Sequence, residues 1–128
     1  MNKRMDTIKS LVSLSKSLND ISSDLAMFGW DYEGEPLVVT SPQIIEVLQL
    51  YISGRIGADV LEQWANMLEC REDIVFEKNV EDKLENIIYC LANPELEGAI
   101  TSERCKQFVK ELSSEQRGRV ARRHRQSI

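Results

Sequence analysis

A chain of 128 residues that is 42% hydrophobic and 29% charged has the apolar content of one globular domain, which excludes whole-chain disorder and removes any need for disulfide or metal staples. Its formal charge of −5 is unevenly placed: residues 113–128 hold Arg117, Arg119, Arg122, Arg123 and Arg125 against one acid, Glu115, which leaves residues 1–112 with 11 basic and 20 acidic side chains, net −9. An acidic body of that strength disfavours nucleic acid and anionic membranes as its partners, and it steers basic proteins towards itself.

In chain order, residues 6–28 place Leu11, Leu14, Leu18, Ile21, Leu25 and Phe28 at steps of three and four. That is one apolar helical stripe, with Asp6 available to cap its start and Gly29 to end it. Gly34 and Pro36 break the helical pattern, and Leu37-Val38-Val39 is a short β-prone run. The run is a strand or an extended connection, or it pairs with Trp30-Asp31-Tyr32 as a hairpin. Ser41-Pro42 marks a helix start with Ser41 as cap, and Gly54 its end. A third helix runs from about Ala58 to Cys70 with Val60, Leu61, Trp64, Ala65 and Leu68 inward. Residues 71–79 form a charged connection anchored by Ile74 and Phe76. Asn79 caps a fourth helix over 80–92 that Asn93-Pro94 stops, and Thr101 caps a fifth carrying Cys105, Phe108, Val109 and Leu112. The reading is a mainly α fold: a compact bundle of about five helices, with at most one short strand or hairpin near 30–40. Residues 1–112 form the single domain, and 113–128 are expected to be a frayed or flexible basic tail.

Catalytic chemistry finds no purchase. The sole histidine, His124, lies in the tail, so no nucleophile–base pair can be placed, and neither a phosphate loop nor GxGxxG is present. Cys70, Cys90 and Cys105 are odd in number and widely spaced, which argues against zinc and reads as reduced thiols, with Cys90 and Cys105 as small core residues. The expectation is a protein that is not an enzyme, with no metal, no cofactor and no small-molecule substrate. The N-terminus lacks a continuous apolar run and a cleavage site, and no stretch approaches the ~18 apolar residues of a membrane helix, so the expected compartment is the cytosol.

Binding is the remaining class of function. Acids are densest over 59–85, where Glu62, Glu69, Glu72, Asp73 and Glu77 are candidate contacts for a basic protein surface. Concentrated like charge costs self-repulsion that a cationic partner relieves. Charge reversal at Glu69, Glu72 and Asp73 is expected to slow association. Trp64 falls in its helix stripe and is expected in the core. Trp30 and Tyr32 flank Asp31 and Glu33 in a break region; Asp31, Tyr32 and Glu33 are further candidate contacts, since exposed aromatics beside acids suit an interface. The arginine tail offers phosphate contacts, which leaves open a regulator or adaptor with a nucleic-acid-binding tail.

The stretch from Tyr51 to Thr101 contains Ile56-x-Ala58-Asp59, Glu62-x-Trp64-Ala65-Asn66, Arg71-Glu72-Asp73-Ile74 and Leu91-Ala92-Asn93-Pro94-Glu95-Leu96. It resembles small stand-alone bacterial immunity proteins, which protect a cell against a polymorphic toxin such as a colicin or a contact-dependent growth inhibition toxin. The resemblance covers about two fifths of the chain and leaves out the first 28 residues and the tail. It implies a cytosolic inhibitor that binds a cognate toxin domain at its active site or an exosite. Many such toxins are basic nucleases, which the acidic body would complement. The residues singled out above by charge would then be toxin contacts.

Overall fold

The computed structural model describes residues 3–28, 34–69 and 71–113. Asp31, Tyr32, Glu33, Trp30, Cys70 and the arginine tail lie outside the described residues.

The first stripe is two helices, α1 (Lys3–Ser13) and α2 (Leu18–Leu25), in place of the single helix expected over 6–28. The break is a paired hydrogen-bond closure: Leu14 N–H donates to Leu11 O at 3.2 Å and Ser15 N–H to Ser10 O at 3.1 Å. This closure needs a left-handed residue, and Leu14 supplies it with φ 53°. Ser17 then caps α2, its hydroxyl accepting from Asp20 N–H at 3.2 Å. An unbroken helix over 6–28 would be about 34 Å long, more than one small domain can cover. Folding at Leu14 lets Ile8, Leu11, Val12 and Ile21 all reach the same core.

The next four elements form a unit of strand, two helices and strand: β1 (Leu37–Val39), α3 (Ser41–Ile52), α4 (Ala58–Leu68) and β2 (Ile74–Phe76). β1 pairs in parallel with β2, Leu37 opposite Ile74, Val38 opposite Val75 and Val39 opposite Phe76. The expected strand is therefore present, but its partner is the segment read as a loop anchor. Parallel pairing requires a long crossover, which α3 and α4 supply, and nothing local to residues 30–40 reveals it. Val39 and Ile74 face the core while Val38 and Val75 face out.

Helix α3 starts one residue earlier than its proline suggests. Thr40 is the cap, its N–H donating to Gln43 Oε1 at 2.9 Å, and Ser41 is already helical and buried. Gly54 ends α3 with φ 82°, Gly54 N–H donating to Tyr51 O at 3.0 Å and Arg55 N–H to Leu50 O at 2.9 Å. In α4, Leu61, Trp64, Ala65 and Leu68 are buried as the spacing predicts. The Trp64 indole N–H donates to Leu11 O at 2.8 Å, joining α4 to the end of α1.

A 3₁₀ turn (Lys78–Val80) leads into α5 (Glu81–Ala92), so Asn79 lies inside that turn rather than capping the helix. Leu84, Ile87, Ile88 and Leu91 are buried and pack chiefly on α4. Pro94–Glu97 form a one-turn helix, α6, that the sequence reading lacks. Residues 102–113 form α7, capped as expected by Thr101, whose hydroxyl accepts from Arg104 N–H at 3.1 Å. Cys105, Phe108 and Leu112 close the core from this side.

Candidate interaction surface

The acids of residues 59–85 divide into one buried ion and an exposed remainder. Asp73 is 1% exposed and sits between two arginines. Arg71 grips it with two parallel bonds, Nε to Oδ1 at 2.8 Å and a terminal nitrogen to Oδ2 at 2.9 Å; Arg4 Nε reaches Oδ2 at 3.2 Å. Burial alone would raise the Asp73 pKa, but the hydrogen bonds and charges of Arg71, then of Arg4, outweigh it and hold the carboxyl below the ordinary aspartate value. Asp73 thus ties α1 to the connection between α4 and β2. It is a structural anion and not the surface contact that its charge suggests in sequence: a carboxylate enclosed by two guanidinium groups has no field left to offer a partner.

The other described candidate acids are less enclosed, although Glu77 keeps one carboxylate oxygen, Oε2, buried. Glu72 is exposed, and Glu62, Glu69 and Glu77 are half-buried. Glu62 and Glu69 lie two turns apart on the same side of α4 and its end, with Glu72 just beyond. Glu77 stands past the far end of β2, where its N–H donates to Val39 O at 2.9 Å. They are spread over α4, the connection after it and the far end of β2.

Among the described residues, exposed acids and an exposed aromatic side chain come together on α5. Its outward face carries Asp82, Glu85, Asn86 and Tyr89, all exposed and spaced three or four apart. Tyr89 is 42% exposed and lies near the middle of that face. The face continues into α6, where Leu96 is 73% exposed between Glu95 and Glu97, themselves exposed. Tyr89 is absent from the sequence-based candidates because Ile88 beside it belongs to the buried stripe. The available signal was its phase: it falls outside the Leu84, Ile87, Ile88 and Leu91 stripe and one turn beyond Glu85.

At the start of α5 this face adjoins a surface groove of about 570 Å³ whose walls include Glu81 and Asp82 on one side and Glu111 of α7 on the other. A second, apolar crevice between Cys90, Leu91, Ile100, Cys105 and Phe108 has no room for a water molecule.

Both described thiols are buried and reduced. Burial pushes Cys105 up to about 11 and also raises Cys90, where Arg104 opposes the shift and Glu97 and Glu111 add to it. Protonated, enclosed thiols of this kind are poor nucleophiles and poor metal ligands. Among the described residues no group of three His, Cys, Asp or Glu side chains could hold a metal ion, and no helix is long and apolar enough to cross a membrane. Trp64 is fully buried, as its stripe position predicts. No protein-family model, curated protein or solved structure matches this chain significantly.

Proposed function

We propose that this chain is an immunity protein, a cytosolic inhibitor that neutralises a cognate bacterial toxin domain by one-to-one binding. The observation that carries the reading is the outward face of α5, where an exposed tyrosine stands among acids on a body of net charge −9. An excess of acidic over basic side chains on a body favours a cationic partner and accelerates its approach. A rigid, half-exposed aromatic ring supplies the short-range anchor that charge alone lacks. The resemblance of residues 51–101 to immunity proteins supports the same partner class, a basic nuclease domain.

The test is co-expression in a bacterial host with the basic C-terminal domain of a large exported protein encoded immediately upstream of this gene, whose presence is itself part of the expectation. Protection of growth and a stoichiometric complex are expected. Tyr89→Ala should weaken the complex by about 30-fold or more, the range of an interface anchor. Reversing Asp82 and Glu85 to lysine should slow association at low salt by about tenfold, with a smaller effect of the same change at Glu69 and Glu72. An unaltered association rate would refute the assignment of the surface, and absence of protection would refute the immunity function.

A further inference from the structure

We infer that Arg104 is a positioning residue: it clamps the one-turn helix α6 so that Leu96 stands at a fixed point of the interaction surface and enters an apolar recess rimmed by lysine or arginine on a basic partner. The clamp belongs to the free chain; the role given to Leu96 rests on the proposed function.

Four residues do not hold a helix by themselves, because one turn gains too few bonds to offset nucleation. Helix α6 is supported from outside at both ends. At its start, Asn93 donates twice to Tyr89 O, from its N–H at 3.0 Å and from Nδ2 at 3.0 Å, while Leu96 N–H and Glu97 N–H donate to Asn93 O at 3.1 and 2.9 Å. A single residue thus joins the end of α5, with Tyr89, to α6. At its end, one terminal nitrogen of Arg104 donates to Glu97 O at 2.7 Å and to Gly98 O at 3.0 Å, supplying the donor that the last carbonyls of a helix lack. Arg104 is itself fixed. Its N–H donates to the Thr101 hydroxyl at 3.1 Å, and its guanidinium carbon lies 5.5 Å from the centre of the buried Phe108 ring. Gly98 makes room for the clamp: its φ is 111°, and a Cβ there would lie 2.7 Å from the same Arg104 nitrogen.

What the clamp holds out is an apolar side chain. Leu96 is 73% exposed, and its neighbours Glu95 and Glu97 are exposed acids. Residues 93–99 include those two acids and no basic residue, so cations suit the rim of the recess that receives Leu96. A lone exposed leucine is ordinary. One whose backbone is tied on both sides differs, because ordering it costs nothing further when a partner arrives and its burial then appears as affinity.

The experiment reads the free chain and the complex separately. In the isotopically labelled full chain, backbone order parameters at Leu96, Glu97 and Gly98 should equal those of α5, about 0.85, and fall below about 0.6 in R104Q, with the Trp64 indole resonance reporting that the variant is folded. Unaltered order in R104Q would overturn the clamp. For the complex, the probe is the basic C-terminal domain of the exported protein named above. L96A, R104Q and the charge-preserving G98A should each raise the dissociation rate by about tenfold without lowering the association rate. R104Q removes a cation from an acidic body, so charge alone would tighten its hold on a basic domain; weaker binding carries the opposite sign and reports positioning. In an L96A background R104Q should add no further loss, because Arg104 acts through Leu96. Native dissociation in L96A, or additive losses from L96A and R104Q, would overturn the presentation of Leu96 and leave the proposed function standing on the native chain's protection. Failure of the native chain to bind the domain would remove the proposed function and the role of Leu96 with it, and the order parameters then decide the clamp.

Discussion

Replacing Asp73 with asparagine tests the central ion cluster. The side chain is 1% exposed and accepts three bonds from Arg71 and Arg4, whose own side chains are 23% and 14% exposed. The amide keeps the shape of the carboxylate but removes its charge and turns one acceptor into a donor facing guanidinium. Breaking a fully buried pair costs about 3–5 kcal/mol; both arginines here retain some water, which lowers the expectation to about 3 kcal/mol. For a domain of roughly 110 residues that is a fall in Tm of about 12 °C. Urea unfolding followed by circular dichroism at neutral pH measures the difference. The pH dependence gives an independent check. The folded Asp73 pKa lies below its ordinary value of 3.8, so its contribution is fully present above that value and is lost as the pH falls through the folded pKa. The gap between native and D73N stability should therefore be constant from pH 7 to about 5 and shrink below about pH 4. A gap under about 0.5 kcal/mol at pH 7, or one that persists unchanged at pH 2, would refute the view of Asp73 as a structural anion.

Other parts of the fold give equally direct expectations. Trp64→Phe deletes the indole donor to Leu11 O and leaves a space at a fully buried position; a loss of about 2 kcal/mol in urea unfolding is expected, with hydrogen exchange accelerated at the end of α1. Gly54→Ala meets nothing within 4 Å of the new Cβ, so its cost, about 1 kcal/mol by denaturation, comes from φ 82° alone. In a Cys70→Ser background, Cys90 and Cys105 should react with a disulfide reagent at pH 7 only on the timescale of unfolding, and rapid modification of the native protein would show that these thiols are not enclosed.

Periodicity made the helical faces legible because each apolar stripe is a local pattern that packing then uses. Leu61, Trp64 and Leu68 of α4, and Leu84, Ile87 and Leu91 of α5, went to the core from spacing alone. What escaped depends on contacts between distant residues. Leu14 is a poor left-handed residue by intrinsic preference, so nothing in its identity announces the break between α1 and α2; the break is imposed by the need to cover both halves of the stripe. The pairing of Leu37–Val39 with Ile74–Phe76 is hidden for the same reason, since two short apolar runs separated by two helices carry no mark of their partner. The candidate surface was half legible. Glu62, Glu69 and Glu72 reach solvent, as charge predicts, while Asp73 looks identical in sequence and is buried, and Glu77 has one carboxylate oxygen enclosed.

The fate of Asp73 bears on how acidic the exposed surface is. Arg4 and Arg71 are two of the 11 basic residues in 1–112, and both are turned onto one carboxylate. That buried cluster is itself +1, so the rest of the body carries −10, more than the net charge of −9 suggests. Other cations are also engaged: Lys16 pairs with Asp24 at 3.6 Å, and Arg104 donates to the carbonyls of Glu97 and Gly98 at 2.7 and 3.0 Å. On the outward face of α5, positions 82, 85, 86, 89 and 93 include two acids and no basic residue. Folding thus turns Arg4 and Arg71 onto Asp73 and leaves these α5 positions without a basic residue among them. On the proposed function, salt should slow association with a basic partner far more than it accelerates dissociation, because steering acts through the screened long-range field while an aromatic anchor such as Tyr89 would act at contact. If salt instead acted mainly on dissociation, charge pairs at the contact would be holding the complex, and the division of labour between acids and Tyr89 would be wrong.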